Sequence, residues 1–103
     1  MLDARPIRVL LAREGDQWVA QCLEYDIGAQ ARNLDELRER LMVALVLERQ
    51  ESLRRHGRAF AGIDPAPQFY HDLWDKRAGE FTPARSAVLE NEPNIDIEFG
   101  VAA

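Results

Sequence analysis

Cysteine is nearly absent from this chain. Cys22 stands alone among 103 residues, so no internal disulfide can form, and a reducing, cytoplasmic setting is expected. Long apolar runs are missing as well. The longest, Leu41 to Leu47, falls far short of the ~20 residues a membrane span requires. The opening MLDARPIR shows neither the apolar stretch nor the cleavage signature of a secretory leader. Positive charge is in deficit, with 13 Lys and Arg against 18 Asp and Glu, a formal charge of -5 that argues against non-specific nucleic-acid binding. Gly-rich phosphate loops, Gly-x-Ser-x-Gly turns, internal repeats and low-complexity tracts are also lacking.

What is present suits one globular domain over residues 1–103. A hydrophobic share of 47% is ordinary for a folded protein, and this length supports a modest core without disulfide or metal staples. From Glu80 onward one Arg faces five acids, giving -4, so the acidity is concentrated in the tail.

The first unit reads as a hairpin. Ile7 to Glu14 and Gln17 to Asp26 are rich in β-branched, aromatic and aliphatic residues, and Gly15-Asp16 between them suits a type II′ turn. Ile7, Val9 and Leu11 share one face, with Arg8, Leu10 and Ala12 on the other. In the second run Trp18, Ala20 and Cys22 oppose Val19, Gln21, Leu23 and Tyr25. Neither face is cleanly polar, so one face should lie under a helix and the other should be partly covered by something else. A third strand is expected over Gly28 to Arg32.

The second unit is a long helix. Asn33 is its expected N-cap, Glu36 three residues later completes a capping-box spacing, and Gly57 is its stop. Asp35 and Glu36 in the first turn and Arg54, Arg55 and His56 in the last complement the helix dipole. Leu34, Leu37, Leu41, Ala44 and Leu45 follow the helical rhythm. Met42, Val43, Val46 and Leu47 add apolar surface on other sides, which predicts an oligomer interface, a homo-dimer or larger.

Beyond Phe60, the stiff stretch Asp64-Pro65-Ala66-Pro67 leads into a short helix over QFYHDLWDKRAG, ending at Gly79 with Lys76 and Arg77 in its last turn. Phe69 and Leu73 are expected to face the core. Tyr70 and Trp74, on the adjacent side, are the expected partner contact. SAVLE follows, and then Ile95, Ile97 and Phe99 alternate with Asp96 and Glu98 as a half-buried C-terminal strand. The fold class is therefore α+β, in the order β-β-β-α-α-β.

Few residues invite chemistry. Cys22 lies inside an apolar strand without a sequence-near base, so it reads as a core residue rather than a nucleophile. His71 and Asp75 share a helix side with Asp72 nearby, yet no third clear ligand completes a metal site, and a solvated or capping role is the simpler reading. Arg49, Arg54, Arg55 and Arg58 gather at the end of the long helix. An RNA contact there is the alternative to an ordinary charged helix end, since Glu48 and Glu51 lie within pairing distance.

The run IRVLLAREGDQWVAQCLEYDIGAQARNLDELRERL resembles the N-terminal domain of HicB-like antitoxins. The matching pieces are Gly15-Asp16-Gln17-Trp18-Val19-Ala20, Cys22-Leu23-Glu24 and Leu34 to Leu41, and they cover about the first half of the chain. The resemblance implies a truncated RNase H-like layer, association into dimers or tetramers, and binding of a small basic, RNA-cleaving toxin-like protein whose active site is blocked. The chain departs from that pattern in two places. After Gly57 it has no basic DNA-reading unit, so DNA binding is not expected. Ile7 to Ala12 holds no acidic residue, so the carboxylates of RNase H-type metal catalysis are missing. The combined expectation is a protein-interaction module without catalytic residues, metal or cofactor.

Overall fold

The computed structural model describes residues 6–81 and 97–102. Strands β1 (Ile7–Glu14), β2 (Gln17–Cys22) and β3 (Gly28–Ala31) come first, then helices α1 (Leu34–His56) and α2 (Gln68–Asp75), then strands β4 (Gly79–Phe81) and β5 (Ile97–Val101). They form one mixed sheet in the order β3-β2-β1-β5-β4, in which only β1 and β5 run parallel. The architecture is α+β, as the sequence pattern predicts.

Local signals set the first half. Glu14 pairs with Gln17 across the Gly15-Asp16 loop. Gly15 has φ 63°, while Asp16 stays at negative φ, and a type II′ turn needs that combination. The second strand is shorter than expected. It stops at Cys22 because the Cys22 N–H donates to the Ile27 carbonyl at 2.9 Å, closing a loop that delivers the chain to β3. The Asn33 side chain accepts from the Glu36 N–H at 2.8 Å, and the Gly57 N–H donates to the Leu53 carbonyl at 2.9 Å, so α1 occupies the span its caps mark out.

Strand β1 lies at the centre of the sheet, and Ile7, Val9, Leu10 and Leu11 are all buried. A strand covered on both faces reads as a continuous apolar run rather than an alternation. On one face Ile7, Val9, Leu11, Ala20, Cys22 and Phe99 pack under Leu37, Leu41 and Leu45 of α1. On the other, Leu10 and Leu23 pack under Trp74 of α2. The second cover that the hairpin demanded is therefore α2.

Between the helices the chain is pinned at Phe60. This buried residue sits at φ 62°, a left-handed conformation that costs a side-chain-bearing residue ~1–2 kcal/mol. Two contacts hold it. Its N–H donates to the buried Ser52 hydroxyl at 2.6 Å, and its ring stacks on Tyr25 with centroids 4.4 Å apart. The Pro-rich stretch that follows runs beside the loop after β2, with the Asp26 N–H on the Asp64 carbonyl and the Ala66 N–H on the Leu23 carbonyl.

The end of α2 needs a correction. The helix stops at Asp75, and Gly79 opens β4 instead of closing the helix. The Ala78 N–H donates to the Val101 carbonyl at 2.8 Å, so pairing with the C-terminal strand draws this segment into the sheet. SAVLE, Ile95 and Asp96 lie outside the described residues. Among the described residues no helix is long and apolar enough to cross a membrane.

Candidate functional site

Nucleophilic chemistry has little to work with. Cys22 is fully buried, and burial, with the nearby Glu24 charge adding to it, pushes the thiol up to about 12. Such a group stays protonated at any physiological pH and is shielded from solvent, so it is a poor nucleophile. His71 Nε2 lies 3.2 Å from the Ala66 carbonyl, to which it donates in the tautomer protonated there. His56 lies against Gly62 just beyond the end of α1. Asp72 accepts from the Gln68 amide at 3.0 Å. Among the described residues no three His, Cys, Asp or Glu side chains come together in a way that could hold a metal ion.

The arginine-rich end of α1 carries less free charge than its sequence suggests. Arg54 and Arg55 both donate to Glu51, at 2.6 and 2.7 Å, and the two guanidinium groups hold that carboxyl below the usual carboxylate range. Arg49 is half-buried, whereas Arg58 is exposed. The cluster is therefore a salt-bridged helix end with its positive field partly cancelled.

The apolar band on α1 divides. Met42 is 2% exposed and belongs to the protomer's own core, which corrects its assignment to an oligomer face. Successive helical residues turn by ~100°, so Met42 swings back toward the sheet while Val43 faces away. Val43 and Leu47 remain 45% and 59% exposed on the side opposite the core, with Val46 half-buried beside them.

Helix α2 is rotated relative to expectation. Trp74 is 4% exposed and packs on Leu10 and Leu23, with Tyr70 and Leu73 partly buried around it, so Trp74 completes the protomer's own core. The seat is made by Gly100. A β-carbon there would lie 2.6 Å from Cζ3 of the indole, a distance no packed pair tolerates. Polar groups finish the rim. The Arg77 guanidinium lies 4.5 Å from the Trp74 ring centroid, and Arg8, 6.0 Å from it, is held by Glu24 through its backbone N–H and its Nε, both at 2.6 Å.

With Tyr70, Leu73 and Trp74 turned to the sheet, Phe69 is left 63% exposed. Asp72 is exposed beside it one turn farther along, Asp75 is exposed about a third of a turn round the helix from it, and Lys76 is exposed about two turns along on the same side as Phe69. An exposed aromatic ring with a carboxylate beside it is suited to a protein contact, and aromatics are enriched at such interfaces. Sequence reading assigned Phe69 to the core. The signal that separates the alternatives is Gly100, because only a strand position without a side chain admits the larger indole. No protein-family model, curated protein sequence or solved structure matches the chain.

Proposed function

We propose that this chain is a non-enzymatic, cytoplasmic protein-interaction module of the HicB-like kind, which associates with itself and holds a small basic, toxin-like partner. The observation that carries the reading is the outer face of α2, where Phe69 is 63% exposed with Asp72 one turn along and Asp75 farther round, while Trp74, with Tyr70 and Leu73 partly buried beside it, turns to the sheet. Exposed aromatics are costly to leave in water and are enriched at protein interfaces, while the carboxylates select a basic partner and speed its approach. The buried, protonated thiol and the commitment of His71 to a backbone carbonyl support a binding role over a catalytic one.

The test is co-expression with the product of a short basic reading frame adjacent to its gene, followed by calorimetry on the purified pair. Binding should weaken with salt, and Phe69→Ala should cost ~2 kcal/mol, about thirtyfold in affinity. Binding that persists unchanged in Phe69→Ala combined with Asp72→Lys overturns the placement of the contact. Failure of the two chains to co-purify overturns the basic-partner reading.

A further inference from the structure

The outward side of α1 carries a second pattern besides its core stripe. Glu36, Arg40, Val43, Leu47, Gln50 and Arg54 are all exposed and follow one another at spacings of four, three, four, three and four residues. That alternation is the 3.5-residue seam along which two helices pack. The stripe is also self-complementary about its midpoint. When a second copy is laid antiparallel, Val43 faces Leu47, Arg40 faces Gln50 and Glu36 faces Arg54. Laid parallel, it would set Arg40, Arg54 and Glu36 each against its own copy, a like-charge contact at three of six levels.

From this we infer that two copies of the chain pair through α1, antiparallel about a two-fold axis midway between Val43 and Leu47 along the helix, with a Val43–Leu47 centre closed at both ends by Glu36–Arg54 contacts between protomers. The arrangement is isologous, so each contact occurs twice, and it opposes the two helix dipoles. Within one protomer Glu36 already accepts from Arg40 at 2.5 Å, and Arg54 pairs with Glu51 at 2.6 Å. In the pair, the Arg54 of the second copy joins the Glu36–Arg40 pair and extends it into a network. Val46, half-buried at the flank of the stripe, widens the apolar centre. Only two apolar levels lie within the seam, so the dimer is weak and its orientation is fixed by charge. The inference rests on the interaction-module reading and specifies how self-association occurs.

Sedimentation equilibrium of the full chain at concentrations up to about 1 mM, the weak end of specific association, tests it. Leu47 is 59% exposed, so Leu47→Asp and the milder Leu47→Ser leave the fold intact, as circular dichroism will check. Both should weaken the dimer, Leu47→Asp by about tenfold or more. Glu36→Arg alone and Arg54→Glu alone should each weaken it about threefold to tenfold, because each reversal acts twice across the axis. The double variant Glu36→Arg with Arg54→Glu should recover wild-type association. A monomer across the whole range, or a dimer indifferent to Leu47→Asp, overturns the α1 seam. Sensitivity to Leu47→Asp without recovery in the double variant overturns the antiparallel register. A chain that stays monomeric yet holds a basic partner through Phe69 loses this inference and keeps the interaction-module reading.

Discussion

Replacing Trp74 by alanine should destabilise the protomer rather than detach a partner. The indole is 4% exposed and shares its cluster with Leu10 at 2% and Leu23 at 0%. A Trp side chain buries ~150–250 Å², which at ~25 cal/mol per Å² corresponds to ~4–6 kcal/mol of transfer free energy. Partial collapse of the vacated space brings the expected loss into the ~3–5 kcal/mol seen for large aromatic truncations. Loss of the Arg77 contact over the ring adds to this by ~0.5–1 kcal/mol. A domain of this size holds only ~5–15 kcal/mol in total, so the change removes about a quarter or more of its stability. The melting temperature should fall by more than ~10 °C. Trp74→Phe keeps an aromatic over Gly100 and should cost roughly half as much. Urea unfolding followed by far-ultraviolet circular dichroism measures the loss, with sedimentation run in parallel. A Trp74→Ala protein within ~1 kcal/mol of wild type but with reduced assembly would show that the indole is a contact residue, refuting its place in the core.

Gly100→Ala should destabilise by ~1–3 kcal/mol, because the new methyl meets Cζ3 of Trp74 and Cδ of Arg77 at 2.6 Å, and most of that cost should vanish when Trp74 is also alanine. Ser52→Ala strands the buried Phe60 N–H and should cost ~1–2 kcal/mol in urea unfolding even after alanine's better helix propensity is counted, whereas unchanged stability would remove the hydroxyl from its anchoring role. Cys22 should resist thiol reagents in the native state, and Cys22→Ala should lose ~1 kcal/mol without loss of partner binding. Its thiol, ordinarily at 9.0, is raised to about 12 on folding, so the stability it contributes is complete below pH 9 and declines as pH climbs toward 12. Wild type should therefore lose stability more steeply than Cys22→Ala above pH 9, and parallel pH profiles would contradict the burial of the thiol.

The first half of the fold was legible because its rules are local. Gly15-Asp16 sets the turn and through it the pairing of β1 with β2, while Asn33 and Gly57 bound α1 by hydrogen bonds to residues three or four positions away. The apolar run of Ile7 to Leu11, broken only by Arg8, likewise announced a sheet covered on both faces. The candidate site was less legible, because exposure is settled by what lies opposite a side chain rather than by its own neighbours. Val43 and Leu47 emerged on the open side of α1, but Met42, one position away, turned into the core, and periodicity alone had grouped all of them. On α2 the sequence offered two apolar sides of similar strength, Phe69 with Leu73 and Tyr70 with Trp74. The choice fell to Gly100, a strand residue distant in sequence whose missing side chain leaves room for an indole and so turns Phe69 outward. Strand β4 was decided the same way. Residues 79–81 carry no strand signal of their own, and they extend only because β5, seated parallel to β1, presents an edge whose backbone groups need partners.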